Sequence, residues 1–374
     1  MINAFKLELI EIRKSFYLFS LLTWIPFISF LLIIYIFHSG VAHNLPISVV
    51  DNDRSNLSRE IITQLEANPT LHVKSVQGSI KEASKSIKQS NIYATIVIPT
   101  NFKRDVIQKK QPQITAFINA QYLLIGKMIN SALSSTIAQS AGRIDFASNL
   151  ATDGQVKSAL YATAPINIQI TPFFNTYQNY FLFLVSAIIP TLWQILIVVA
   201  VISSFGRTFK EKKENLFFKD KNIFVSIIGK TLPYTVIYLG WGILFLLYMY
   251  GYEPWKFQGS FSVTILAMLL TILAYEGMAL LFFTLNFHYT RALSLAALYT
   301  APAFAFLGIT FPVSSMPEFA HIWHNLLPIS HYLKLQIAQA SYGVNVVDVI
   351  PLLVNLCYFL PVWFIVWFRI RKVI

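Results

Sequence analysis

Six long apolar runs constrain this sequence more than any other feature. A helix needs about 20 mostly apolar residues to cross a hydrocarbon core that is roughly 30 Å thick. The third run contains Pro233 and the fifth contains Pro302, which transmembrane helices tolerate when neighbouring helices satisfy the freed backbone groups. The predicted transmembrane helices cover Phe16–Phe37, Phe181–Phe205, Thr231–Tyr250, Phe261–Leu285, Leu293–Ile309 and Pro351–Phe368.

The composition excludes a soluble enzyme. Hydrophobic residues make up 55% of the 374 residues and charged residues only 12%, against about 25% charged residues in a soluble domain. Cys357 is the single cysteine, so an intramolecular disulfide and a cysteine-based zinc site are both excluded. Small residues at Gly40-Val41-Ala42 would suit signal-peptide cleavage, but the first apolar run is too long for a signal-peptide core. We therefore interpret it as an uncleaved anchor.

The distribution of Lys and Arg predicts the orientation in the membrane. With the N-terminus inside, the short inner segments hold fourteen basic residues and the short outer loops hold only Lys256 and Lys334. The sequence therefore predicts a multi-pass protein of a bacterial inner (plasma) membrane with both termini in the cytoplasm. The net charge of +12 then comes largely from basic inner loops next to the lipid bilayer. Because the membrane orientation accounts for this charge, no nucleic-acid partner is expected.

The long segment between the first two spans alternates between strand and helix patterns. Strands are predicted over Ile47–Asp51, Leu71–Val76, Tyr93–Ile98 and Gln113–Ile118, helices over Asn56–Ala67 and Ile80–Gln89, and one long helix to about Leu150. Such alternation is typical of a small α/β sheet with helices on its faces. The predicted fold class is thus an α-helical polytopic membrane protein of six transmembrane helices, with an extracytoplasmic α/β domain inserted over residues 38–179. This domain either meets a partner or substrate or serves only for packing.

The first 37 residues are predicted to form a surface helix and the first span, and residues 180–374 the other five spans. An apolar stripe with helical spacing precedes the first span, at Ile2, Phe5, Leu9, Ile12 and Phe16. Lys6 and Arg13 flank this stripe, so we expect the helix to lie on the inner membrane surface.

A charged loop follows the second span over residues 206–222. Its centre, Thr208–Phe218, has a helix-forming composition. A short charged helix below the membrane could dock in a cleft of a soluble partner, or the loop could be an ordinary basic inner loop. The charged residues are Arg207, Lys210, Glu211, Lys212, Lys213, Glu214, Lys219, Asp220 and Lys221.

The sequence carries no catalytic constellation. Gly229-Lys230-Thr231 resembles the end of a phosphate-binding loop, but Phe224 stands where the leading glycine is needed. The chain is therefore not expected to hydrolyse ATP or to hold a cofactor. His321, His324 and His331 could offer three imidazoles to zinc. We favour interfacial histidines without a metal.

Glu276 lies inside the fourth predicted span. An ionisable group at that depth costs about 2.5–3.5 kcal/mol on insertion, so it must face a partner helix, water or a pathway. It either lines a path for a polar or cationic substrate or forms a hydrogen bond across a helix interface.

Three segments carry a resemblance to the permeases of type-2 export ABC transporters, which have the type V exporter fold. Ile47–Arg59 (ISVVDNDRSNLSR) is similar to the start of the outer domain in the drug-exporter branch. Gly308–Pro317 (GITFPVSSMP) resembles the outer re-entrant segment, and it is followed by Leu327-Pro328 and His331-Tyr332. Lys210–Leu216 looks like the coupling helix of this family, although the usual Gly-Thr pair is missing.

The resemblance implies a permease subunit that pairs with a second copy or a paralogue. Separate ABC subunits would bind ATP and Mg²⁺ and push on Arg207, Lys210, Glu211, Lys212, Lys213 and Glu214. The re-entrant segment, residues 310–350, would narrow the exit, and the cargo would be an amphiphilic or hydrophobic, drug-like or lipid-like compound. A periplasmic adaptor and an outer-membrane channel are further partners that the sequence leaves open. The implied path and gate residues are Glu276, Pro312, Met316, Pro317, Pro328, His331 and Tyr332.

Two other classes remain open. An ATP-independent secondary transporter or channel often has internal repeats and several intramembrane charges. No repeat is visible here, and Glu276 is nearly alone. A membrane-anchored sensor with an outer ligand domain would not need five further spans.

Overall fold

The computed structural model describes the chain except residues 78, 109, 111, 154–173, 176–178, 219–221 and 252–255. Contacts divide the chain into two compact units. The first unit comprises Met1–Gly40 and Pro172–Ile374, and the second comprises Val41–Thr171.

Three helices open the chain: α1 (Ile2–Lys14), α2 (Phe16–Leu22) and α3 (Trp24–Phe37). The predicted surface helix ends at Ser15, whose extended backbone stops α1 and whose hydroxyl accepts a hydrogen bond from Leu18 N at 3.4 Å. Because this is an N-cap, α2 begins as a new helix. The apolar run Phe16–Phe37 is long enough to cross a membrane.

The second unit contains a four-stranded sheet. Strands β1 (Leu45–Asp51), β2 (Leu71–Gln77), β3 (Ala94–Ile98) and β4 (Thr115–Ile118) pair in the order β2-β1-β3-β4. β1 is parallel to β2 and β3, and β4 is antiparallel to β3. Four helices accompany the sheet: α4 (Asn56–Glu66), α5 (Ile80–Lys88), α6 (Phe102–Ile107) and α7 (Leu123–Asp153). The strands and helices predicted for this segment are therefore present, with small differences at their ends.

One face of the sheet forms the core of the second unit. Ile47, Val49 and Ile96 alternate with residues of the other face and are fully buried. They pack with Leu65 of α4 and Leu133 of α7 in one apolar cluster. Successive side chains of a strand point to opposite faces, and the other face of β1 is buried as well, since Ser48 is 0% and Val50 1% exposed.

The rest of the first unit is helical. After a π-helical turn at Phe181–Val185, the helices are α8 (Ser186–Lys210), α9 (Glu214–Phe217), α10 (Ile223–Tyr250), α11 (Phe261–Asn286), α12 (Tyr289–Thr300), α13 (Ala303–Phe306), α14 (Glu318–Leu326), α15 (Pro328–Ala340), α16 (Val346–Cys357) and α17 (Val362–Arg371). By length and composition, the described residues contain five candidate membrane spans, which makes this a multi-pass membrane protein. They are Phe16–Phe37, Phe181–Lys210, Ile223–Tyr250, Phe261–Asn286 and Val346–Arg371.

The fifth predicted span differs from the structure. Instead of one helix over Leu293–Ile309, α12 ends at Thr300 and the one-turn helix α13 begins at Ala303. Pro302 lies between them, and proline both lacks a backbone N–H and clashes with the preceding helical turn. A sixth span therefore stays a prediction.

Candidate functional site

Helix α1 packs on the rest of the first unit, and the face that it buries differs from the predicted apolar stripe. Its buried residues are Ala4, Glu8 and Ile12, each four positions apart and therefore on one face of the helix. Two members of the predicted stripe are exposed instead, with Ile2 at 63% and Phe16 at 82% of their accessible surface. The helix that the stripe predicted is therefore present, and the face that packs on the protein shares only Ile12 with the stripe. The position of the stripe on the membrane surface stays a prediction.

The buried face of α1 presents a carboxylate to the interior. Glu8 is completely buried, and its carboxylate forms an ion pair with Lys230 of α10. The hydroxyls of Ser204 and Tyr234 each donate a hydrogen bond to Oε1 of Glu8, both at 2.6 Å. A buried charge is tolerated only when it is paired and hydrogen-bonded, and here both conditions are met.

Lys230 lies inside a helix, whereas the prediction placed it directly before a span that starts at Thr231. Helix α10 begins earlier, at Ile223. Asn222 caps it, because its side-chain oxygen accepts a hydrogen bond from Val225 N at 3.4 Å. Lys230 therefore lies at the start of the third turn of α10, and it is fully buried.

Lys230 also contacts the charged loop. Its ammonium nitrogen lies 3.8 Å from the centre of the Phe217 ring, which belongs to α9. A cation over an aromatic face is attracted by the negative face of the ring. The preceding Gly229 leaves room for α1, because a Cβ atom there would lie 2.5 Å from the carbonyl oxygen of Met1.

A second ionic cluster joins the charged loop to α1. Glu211 accepts from Arg207 and Lys213, with both nitrogen–oxygen distances at 2.7 Å. Lys213 also donates to Glu11 of α1 at 2.9 Å. These hydrogen bonds, that from Lys213 first, hold the pKa of Glu211 below its ordinary value. Glu211 and Glu11 in turn raise the pKa of Lys213.

The charged loop is not the continuous helix that was predicted over Thr208–Phe218. Helix α8 extends to Lys210, the chain turns, and α9 is a single turn at Glu214–Phe217. Lys212 lies in the turn with a φ of 54°, in the left-handed region. Few non-glycine residues adopt this conformation, and no local sequence signal indicates it.

The loop residues differ in what they contact. Lys210, Lys212 and Leu216 are exposed, and Leu216 shows 52% of its surface. Glu214 is half-buried, and its Oε2 has no hydrogen-bond partner among the described residues. Three other predicted loop charges lie outside the described residues: Lys219, Asp220 and Lys221.

Glu276 lies in the interface between two spans. Its carboxylate is fully buried in α11, and Oε1 accepts a hydrogen bond from Thr235 of α10 at 2.8 Å. Its Oε2 is buried without a partner among the described residues. The first oxygen fits the packing interpretation, whereas the second has unused capacity to accept a hydrogen bond. A role in lining a path stays a prediction.

The outer segment, defined here as residues 301–327, contains two of the three predicted gate prolines. Pro312 and Pro317 are exposed on either side of a short 3₁₀ turn at Val313–Ser315, while Met316 is buried. Pro328 is the first residue of α15, a position where its missing N–H costs nothing. Tyr332 packs in the core, with its ring centre 6.1 Å from that of Trp193.

The histidines of this region bind the main chain. His324 Nδ1 lies 2.6 Å from the carbonyl oxygen of Phe306, and His331 Nε2 lies 3.0 Å from that of Asn325. The described residues contain no group of three potential metal ligands. The zinc alternative therefore has no support among them.

These features define first a class: a multi-pass helical membrane protein with an ionic joint that ties its N-terminal helix to α10 and to a charged loop. More narrowly, the chain belongs to the ABC-2 family of transporter proteins, whose sequence pattern matches residues 14–369. Membership makes it the membrane component of an ABC transporter, a transport subunit that works with a separate ATP-binding subunit and is not itself an enzyme. No curated protein sequence matches the chain.

The ionic joint was missed by the sequence analysis. Glu8 and Lys230 are 222 positions apart, so no local pattern connects them. The sequence does contain two features that point to this pair. Glu8 lies midway between Ala4 and Ile12 on one helix face, and Lys230 borders an apolar run. Opposite charges on two such elements are often paired.

Proposed function

We propose that this chain is the permease subunit of an ATP-driven exporter, moving an amphiphilic or hydrophobic compound out of the cytoplasm or inner leaflet. Two copies, or this chain and a paralogue, would form the path in a bacterial inner membrane. ATP and Mg²⁺ would be bound by the partner subunits. Both termini and the charged loop would then lie on the cytoplasmic side.

One observation supports this proposal most directly: the charged loop is joined to α1 and α10 at once. Lys213 of the loop bonds to Glu11 of α1, and Phe217 of the loop covers Lys230 of α10. Lys230 is itself paired with Glu8 of α1. Because these contacts are buried or half-buried, a force on the loop would reach the spans without first being dissipated in a flexible linker.

The loop also offers a free surface for a soluble partner. Lys210 and Lys212 are exposed beside Leu216, which gives an apolar contact flanked by two cations. Lys213 and Arg207 instead face Glu11 and Glu211. The two groups of basic residues therefore have separate roles, with the first group meeting the ATP-binding subunit and the second holding the loop on α1.

The experiment compares charge reversals in the two groups. The purified chain is mixed with its cognate ATP-binding subunit, and the dissociation constant and the ATP hydrolysis rate are measured. Lys212→Glu should weaken binding about five- to tenfold, because it reverses an exposed interface charge. Lys6→Glu, an exposed change on α1, is the matched control.

The outcome separates the alternatives. Unchanged binding with Lys212→Glu and Lys210→Glu would show that this surface does not meet the ATP-binding subunit. ATP-independent transport by the chain alone in vesicles would contradict the proposal and favour a secondary transporter.

A further inference from the structure

Two imidazoles fasten the outer segment through main-chain carbonyls. His324, on α14, bonds to Phe306 at the end of α13, and His331, on α15, bonds to Asn325 on α14. The first bond closes the outer segment on itself, and the second joins the outer segment to α15. The two rings are neighbours, with their centres 6.3 Å apart.

The hydrogen bond of His324 fixes its tautomer. A carbonyl oxygen can only accept, so Nδ1 of His324 must carry the hydrogen that it donates to Phe306. In the neutral ring, Nε2 then holds a lone pair. This atom is buried and has no hydrogen-bond partner among the described residues. Protonation would place an N–H in a buried position without an acceptor, which is unfavourable.

The charged surroundings oppose protonation as well. His324 is 1% exposed and His331 is 7% exposed. Burial lowers the pKa of both rings, and the positive charge of Lys334 on α15 lowers both further. His321 on α14 and His331 on α15 act in the same direction on His324. The hydrogen bonds to Phe306 and Asn325 oppose these effects only in part.

A glycine with a left-handed backbone conformation lies beside His324. Gly308 has a φ of 83°, a conformation that glycine adopts far more readily than other residues. A Cβ atom on Gly308 would lie 3.8 Å from Cε1 of His324, so Gly308 and the imidazole ring are direct neighbours. Gly308 could therefore serve as a hinge for the chain that follows it. The chain after Gly308 is irregular except for one 3₁₀ turn until α14 begins at Glu318.

We propose that His324 and His331 form a latch that holds the outer segment closed and releases it when the compartment that it faces becomes acidic. Charging either ring adds a cation beside Lys334, and charging His324 also leaves Nε2–H unpaired. Release would free residues 309–327 to move about Gly308, away from Phe306 and α15. In the exporter proposed above, on which the functional role of the latch depends, the segment would narrow the exit, so an acidic exterior would favour an open exit.

Hydrogen–deuterium exchange on the purified full-length protein in nanodiscs tests the latch directly. Exchange of residues 301–327 is compared at pH 7.5 and pH 5.5, after correction for the intrinsic pH dependence of exchange. The corrected rate should rise about tenfold at the lower pH, because opening is linked to uptake of a proton. Peptides of α10 should not change and serve as the internal reference.

Two variants separate titration from structure. His324→Asn keeps a donor at the place of Nδ1, and His331→Gln keeps one at the place of Nε2, but neither replacement can become charged. The double variant should stay protected at both pH values. His288→Asn, an exposed histidine elsewhere, should behave like the wild type.

Two results would overturn the latch: a wild-type segment whose corrected exchange is equal at both pH values, or a double variant that keeps the full acid response. Neither result depends on transport or on the ATP-binding subunit. Failure of the proposed exporter function would instead appear as absence of ATP-dependent export at any pH. The two failures are therefore distinguishable.

Discussion

Glu8 and Lys230 form an ion pair in which each side chain is only 1% exposed. This pair joins the N-terminal helix to a span, and the hydroxyls of Ser204 and Tyr234 complete the coordination of the carboxylate. Burying two charges is costly, so such a pair is weak evidence for stability by itself. It fixes instead which face of α1 meets the spans.

Removing one partner of this pair should destabilise the protein strongly. Glu8→Gln or Lys230→Met leaves the other charge buried and unpaired, at a cost of about 3–5 kcal/mol. We expect a clear fall in the midpoint of thermal unfolding in detergent. The double variant Glu8→Gln/Lys230→Met should lose less than the sum of the single losses, since it buries no charge. Additive losses would show that the two side chains act independently. Lys6→Met, on the exposed face of α1, should have little effect.

Gly229→Ala should displace α1. The new Cβ would lie 2.5 Å from the Met1 carbonyl oxygen, which is backbone and cannot rotate away. Overpacking of this kind costs about 1–3 kcal/mol, and it should lower the thermal midpoint and increase proteolysis near the N-terminus. Gly240→Ala is the control on the same helix, because nothing lies within 4 Å of its Cβ position. Equal effects of both changes would contradict a close approach of α1 at Gly229.

The contacts of Glu211 predict an acid-sensitive loop. The pKa of Glu211 is lowered in the folded protein, chiefly by the hydrogen bond from Lys213 and then by that from Arg207. Its stabilising effect is therefore complete above the ordinary carboxyl pKa of about 4.3 and is lost as the pH falls through the lower folded value. Glu211→Gln should reduce the protection of the loop from proteolysis at pH 7. The difference from the wild type should shrink at pH 3.5 and in high salt, since Glu211 is partly exposed. A difference that does not depend on pH would exclude this ionic role.

Glu276→Gln distinguishes a lining residue from a packing residue. Gln keeps the carbonyl oxygen that can accept from Thr235, so the thermal midpoint should change little. If Oε2 faces the path, export of cationic compounds should fall several-fold while export of neutral compounds is unchanged. Thr235→Val removes the hydrogen bond but leaves the carboxyl group in place, and it serves as the matched comparison. Normal export of every compound by Glu276→Gln would leave only the packing role.

The sequence was most informative where structure depends on short-range patterns. The strands from Leu45–Asp51 to Thr115–Ile118 follow from short β-branched runs, and the helix Asn56–Glu66 follows from the helical segment between two of these runs. The apolar runs predict the long helices because length and hydropathy are local properties. The helix break before Pro302 was visible in the sequence, but proline in a span does not by itself distinguish a kink from an end.

The candidate site was less predictable because it is built from distant residues. The approach of Met1 to Gly229 and the pairing of Glu8 with Lys230 depend on how α1 docks, which the apolar stripe does not determine. The turn at Lys212 depends on a left-handed backbone conformation that a lysine rarely adopts. Sequence reasoning identified the charged loop as important, but not which of its charges are satisfied inside the protein.

The Phe217 ring over the Lys230 ammonium has a mechanical consequence. When the loop moves outward, the ring uncovers the cation, and the favourable contact between them is lost. The displaced state therefore has a higher energy than the covered state, by the strength of this short-range contact. In the proposed exporter, the contact would favour the return of the loop to its resting position after each push by the partner.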